Sequence, residues 1–145
     1  MTSVSFPSHP FGSSISAEDI QEKMVQANSW EDKYRLVIQW GKQLPALPDA
    51  LKQDKVKVSG CESQVWLVQR CEAGVYHFAA DSDARIVKGL ICLVLAAYEG
   101  KTAAQIQQFD MEAYFERLGL LGHLSPSRSN GLKAIIEAIQ TFASR

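Results

Sequence analysis

Conventional catalytic equipment is missing from this chain of 145 residues. It has no G-x-S-x-G, no phosphate-loop pattern, no G-x-G-x-x-G and no H-E-x-x-H. Those absences remove the nucleophile elbow, the Walker cradle, the dinucleotide fingerprint and the zincin helix. Cysteine is scarce and odd in number: Cys61, Cys71 and Cys92. No C-x-x-C and no Cys/His pair at zinc spacing occurs, and His9, His77 and His123 are scattered. A disulfide framework and a structural zinc site are therefore not expected, and free thiols are. A basic excess is also missing, since the formal net charge is -1. A dedicated nucleic-acid surface normally announces itself by such an excess, so no direct nucleic-acid partner is expected. The longest strongly apolar run, Gly89 to Tyr98, falls well short of the roughly 20 residues that cross a membrane. The opening residues lack both a basic start and an apolar stretch, so they do not read as a secretory signal, and the cytoplasm is the expected compartment.

What is present is the composition of an ordinary soluble domain, 46% apolar and 21% charged, at a length that suits one core. Residues 1–16, rich in Ser, Pro and Gly, read as a flexible arm, and 17–145 as a single domain. Ser16 before Ala17, Glu18 and Asp19 predicts a capped helix over 17–27. Ser29 predicts a second over 30–43, with Trp30, Tyr34, Val37 and Ile38 on one face. Pro45 and Pro48 stop it, with a short helical turn expected over 48–52. From Val56 the period changes to two. Val56 to Val58, Val65 to Val68 and Val75 to Ala80 read as strands, the last two joined by a hairpin connection at Cys71 to Gly74. Asp81, Ser82 and Asp83 read as the capped start of a helix that is apolar almost all round and ends at Gly100. Shorter helices follow from Thr102 and from Asp110 to Leu118, and Ser125-Pro126 opens the last one. The expected fold is α+β: a small antiparallel sheet packed by helices from both ends of the chain.

One place stands out chemically, Val58-Ser59-Gly60-Cys61-Glu62, between two strand patterns. Gly60 admits backbone angles closed to other residues, so a tight or protruding turn can form there. A cysteine at such a turn can meet a partner without disturbing the sheet. The thiolate is its nucleophilic form, favoured by exposed amides or by nearby cations such as Lys57 or Arg128. From the residues alone, a lone loop cysteine is an ordinary thiol more often than a functional one. Cys92 lies in the most apolar helix and reads as core. Cys71 could serve as a resolving thiol for Cys61.

Four stretches carry a family resemblance: WEDKYRLVIQWGKQLPALP (30–48), VSGCESQVWLV (58–68), DSDARIVKGLICLVL (81–95) and LSPSRSNGLKAII (124–136). Over nearly its whole length the chain resembles the SufE family of sulfur acceptors, and the block around Cys61 is the family's most specific mark. HPFGSSISAEDI (9–20) is similar to the CsdE branch. The resemblance implies an accessory protein rather than a stand-alone enzyme. It would hold no cofactor of its own, since pyridoxal phosphate belongs to a partner cysteine desulfurase of the CsdA/SufS type. Cys61 would take the partner's persulfide sulfur, stimulate the desulfurase and relay sulfur to iron-sulfur cluster assembly through a scaffold. An E1-like enzyme of tRNA threonylcarbamoyl adenosine cyclisation is the alternative outlet. Gly60, as a hinge between two loop states, Glu62 and Arg128 would support Cys61, with no metal, and a monomer is expected. A desulfurase-binding module that carries no sulfur, and a redox protein using Cys61 and Cys71, are the competing readings.

Overall fold

A hairpin and a helix buried on nearly every side organise the computed structural model, which describes residues 9–53, 56–58 and 64–144. Strands β1 (Val65–Glu72) and β2 (Val75–Ser82) pair antiparallel in a register running from Val65↔Ser82 to Glu72↔Val75. Their connection is only two residues, Ala73 and Gly74, at φ of 52° and 82°. Two successive left-handed residues form the tight turn whose twist matches that of paired strands. The register therefore extends further than the sequence pattern suggested, and Cys71 and Glu72 are strand residues.

Helices α1 (Ala17–Gln26) and α2 (Trp30–Gly41) precede the hairpin. Ser16 and Asp19 close a reciprocal capping box on α1, at 3.1 and 3.0 Å, and Ser29 caps α2. A 3-10 turn over Asp49–Leu51 follows the prolines. After the hairpin come α3 (Arg85–Tyr98), the short strand β3 (Lys101–Thr102), α4 (Ala103–Gln108), α5 (Met111–Leu118) and α6 (Pro126–Ala143). A 3-10 turn at Leu121–His123 leads into α6.

The core sits on α3. Every residue from Gly89 to Tyr98 is buried, because β2 covers one side of the helix and α2 another. Each large apolar side chain so buried contributes about 1.5–3 kcal/mol. The α2–α3 crossing is close because glycines face each other. A Cβ on Gly41 would lie 2.9 Å from the Gly89 nitrogen, and one on Gly89 would overlap the Val37 carbonyl oxygen. Gly119, left-handed at φ 70°, ends α5, and the Lys33 ammonium donates to the Leu118 carbonyl there at 2.7 Å. A cation at a helix C-terminus is favourably placed.

Three further sequence expectations change. Residues 9–16 are not a loose arm: Phe11 is wholly buried in the core, while residues 1–8 lie outside the described residues. The anchor is a side-chain closure of the β2 edge beyond β3. Phe78 donates its N–H to Glu99 Oε1 at 2.9 Å and its carbonyl accepts from His9 Nε2 at 2.9 Å. The Phe11 N–H donates to His9 Nδ1, which fixes the hydrogen on Nε2. Burial opposes ionisation of Glu99, but its bonds with His9, Phe78 and His77 outweigh that and hold the carboxyl below its usual range. Next, Val56 to Val58 is not a full strand, since Lys57 makes one isolated bridge to Trp66. Finally, Asp81 and Ser82 end β2 instead of opening a helix. The helix starts at Arg85, and its N-cap, Ala84, offers no side-chain bond. Among the described residues no helix is long and apolar enough to cross a membrane.

Candidate functional site

Cys61, Gly60 and Glu62 lie outside the described residues, but the two ends of the segment that carries them are described in detail. On one side the Val58 N–H donates to the Val65 carbonyl at 2.9 Å, beside the Lys57–Trp66 bridge. On the other, Gln64 is clamped to the end of β2. Its N–H donates to Asp83 Oδ1 at 3.0 Å, and its carbonyl accepts from the Ser82 hydroxyl at 2.7 Å and from the Asp83 N–H at 3.3 Å. Residues 58 and 64 thus leave one end of the sheet side by side, next to the start of α3.

The clamp rests on a buried carboxylate. Asp81 is 4% exposed and accepts the Ser82 N–H at 2.8 Å and the Leu47 N–H at 3.1 Å. The ammonium groups of Lys52 and Lys88 approach its two oxygens, each at 3.3 Å. Burial alone would raise the Asp81 pKa, but the two N–H groups and the two ammoniums outweigh it and hold the carboxyl below the usual range. Lys52 also lies 5.1 Å from the ring centre of Trp66, within cation–π range. Trp66 is half-buried under that ammonium. Lys88, from the first turn of α3, is the other partner of the buried acid.

A cleft of about 570 Å³ opens beside Val58, between Val56, Val58 and Leu67 on one wall and Ala134, Ala138 and Phe142 of α6 on the other. Lys57, Gln69, Glu137 and Thr141 also line it, so the root of the Cys61 segment has a neighbour of mixed polarity. Arg128 occupies the first turn of α6, where its backbone N–H donates to the Ser125 hydroxyl at 3.3 Å, and its side chain is exposed.

The other two thiols separate clearly. Cys92 is wholly buried with its sulfur 3.5 Å from the Trp40 carbonyl, and burial pushes its thiol far above the usual range. It is a core residue and chemically quiet. Cys71 is exposed near the far end of β1. Six strand steps, roughly 20 Å, separate it from Val65. Among the described residues, no three His, Cys, Asp or Glu side chains gather as a metal site would require.

Sequence reasoning missed the Gln64 clamp and the acid with two lysines. The D-S-D run resembles a helix start, and its cue lay elsewhere. The two-residue period from Val75 carries on past Ala80, so Asp81 and Ser82 are strand positions on opposite faces. Nothing in the sequence pointed from Asp81 to Lys52, which follows the 3-10 turn.

The family model described as "SufE: Fe-S metabolism associated domain" matches residues 18–143. The chain is 49% identical over 140 residues to "Sulfur acceptor protein CsdE" of Escherichia coli (strain K12), covering 96% of this chain and 95% of that protein. The solution structure of a hypothetical protein from Thermus thermophilus superposes with a TM-score of 0.70, over 88% of this chain and 91% of that one. At 16% identity that likeness speaks for the fold alone.

Proposed function

Because the chain belongs to the SufE family, and within it is CsdE-like, we propose that Cys61 accepts sulfane sulfur from the persulfide of a cysteine desulfurase. The observation that carries the reading is the near full-length identity to a protein named for accepting sulfur. The anchoring of Val58 and Gln64, which flank the Cys61 segment, at one end of the sheet supports it.

The chemistry balances without a cofactor. The Cys61 thiolate attacks the outer sulfur of the partner's persulfide. A new S–S bond forms on Cys61, the partner's S–S bond breaks, and its cysteine leaves as thiolate. One persulfide is consumed and one is made, so no external oxidant or reductant is needed. A thiol with access and sufficient thiolate character is enough, which agrees with the lack of catalytic pairs in the sequence. Removal of the partner's persulfide frees its cysteine for another turnover and so stimulates it. We infer iron-sulfur cluster assembly as the destination, a reading supported by the description of the matching family model.

Incubation with a desulfurase and cysteine, followed by intact mass and peptide mapping, tests the proposal. One added sulfur atom on the Cys61 peptide is expected. In Cys61→Ser both the added sulfur and the stimulation disappear. Stimulation that survives in Cys61→Ser identifies a binding module that carries no sulfur.

A further inference from the structure

The charges around Asp81 do not cancel. One carboxylate would be neutralised by one ammonium, and its oxygens already accept two backbone N–H groups. Two lysines nevertheless converge on it from different elements, Lys52 after the 3-10 turn and Lys88 in α3. Lys57 adds a third ammonium. It sits opposite Trp66 in the bridge, Trp66 sits opposite Asp81 in the register, and directly opposed residues share a face of the sheet. Its side chain is exposed. Among the described residues, three ammoniums thus gather around a half-buried indole against two carboxylates, buried Asp81 and Asp83, whose Oδ1 accepts the Gln64 N–H, leaving one positive charge in surplus. The chain as a whole has net charge -1, so this patch runs against the average.

Like charges held together cost energy that the fold does not need to spend, because Lys52 alone would tie residues 47–52 to Asp81. The patch also adjoins the root of the Cys61 segment: Lys57 precedes Val58, and Trp66 follows Val65. Resting on the function proposed above, the geometry points to a docking site, centred on Lys52, Trp66 and Lys88 with Lys57 at its rim, for an acidic segment of the sulfur-donating protein. One Asp or Glu side chain satisfies the surplus charge, and the indole offers a flat apolar surface beside the ammoniums. The occupant is a protein rather than a nucleic acid because, among the described residues, the patch is confined to three lysines and the chain carries no basic excess. A polyanion needs a longer basic track.

The test measures binding of the full-length chain to a pyridoxal-phosphate-loaded desulfurase by fluorescence anisotropy, with sulfur loading of Cys61 followed separately by mass. Lys57→Glu reverses a charge outside the Asp81 ion pairs, and Lys52→Gln removes one within them; thermal unfolding verifies that each variant is folded. Lys57→Glu is expected to weaken binding about fivefold and the double variant about tenfold or more, as charges at an interface edge do. Wild-type affinity falls between about 50 and 300 mM salt, and the double variant's falls less steeply. Wild-type affinity and salt dependence in both folded variants overturn the docking site, as does a wild-type chain that binds no desulfurase. Binding of tRNA that the lysine variants lose, with desulfurase affinity unchanged, overturns it in favour of RNA. Binding that behaves as expected while Cys61 gains no sulfur refutes the carrier function and leaves the docking site standing.

Discussion

Replacing Asp81 by Asn tests whether the buried acid holds the root of the Cys61 segment together. The aspartate oxygens accept four donors: the Ser82 and Leu47 N–H groups and the Lys88 and Lys52 ammoniums. Asparagine keeps one oxygen and turns an NH2 group toward two of those donors. A buried N–H left unsatisfied costs about 1–3 kcal/mol. Breaking a buried ion pair costs about 3–5 kcal/mol. The lysine side chains are 29% and 21% exposed, so water recovers part of that loss. A net loss of about 3–4 kcal/mol follows, near the low end of the buried-pair range. Unfolding entropy of about 2 cal/mol/K per residue amounts to about 0.3 kcal/mol/K for the whole chain, so Tm should fall by roughly 10–13 °C at pH 7. The pH dependence has a fixed sign. A carboxyl with a depressed folded pKa stabilises above its unfolded value, about 3.9, and loses that contribution as pH falls through the folded pKa. The gap between wild type and Asp81→Asn should therefore be widest at neutral pH and shrink below about pH 4. Circular-dichroism melts across pH provide the measurement. A Tm loss under about 3 °C at pH 7, or a gap that stays constant into acid, refutes the reasoning.

Gly89→Ala places a methyl against the Val37 carbonyl. The gain in helix propensity, about 1 kcal/mol, is smaller than the overpacking cost, and a net loss of about 2 kcal/mol in urea unfolding is expected. Ala73→Asn replaces a left-handed alanine in a turn that favours Asn-Gly, so stability should rise by about 0.5–1 kcal/mol, read from the urea midpoint. Cys71→Ser should leave sulfur loading of Cys61 intact, because Cys71 sits at the distant end of β1; loss of loading would restore the redox reading.

The elements were legible where local chemistry and period agreed. Ser16 and Ser29 cap the helices they were expected to cap, and Gly119 ends α5. The apolar wrap of residues 89–98 identified α3 as central before any contact was seen. Failures came where a tertiary contact overrode a local cue. Asp81-Ser82-Asp83 has the chemistry of a cap, yet pairing with Val65 and Trp66 draws the first two into β2. Phe11 sits in a Ser- and Gly-rich stretch whose composition says arm, but closing the β2 edge with His9 and Glu99 anchors it. No pattern within one segment encodes a bond between residues 47 and 81 or between 9 and 78. The candidate thiol itself was legible only through the family block around Cys61.

On the proposed function sulfur reaches one thiol out of three, and exposure alone does not supply that choice. Burial disposes of Cys92, whose thiol is pushed far above the range in which it could act as a thiolate. It does not dispose of Cys71, which is exposed. On the proposed function, what distinguishes Cys61 is where the two described ends of its segment, Val58 and Gln64, are anchored. The clamp of Gln64 by Ser82 and Asp83, together with the Val58–Val65 bond, roots its segment beside Lys52, Trp66 and Lys88, whereas Cys71 lies roughly 20 Å along the strand from that root. Docking on the patch would therefore present the donor's persulfide to Cys61 and leave Cys71 out of reach. Selectivity on this account comes from where the partner lands more than from intrinsic reactivity. It follows that a small-molecule persulfide, which needs no docking, should label Cys71 as well as Cys61, while desulfurase-delivered sulfur should label Cys61 alone.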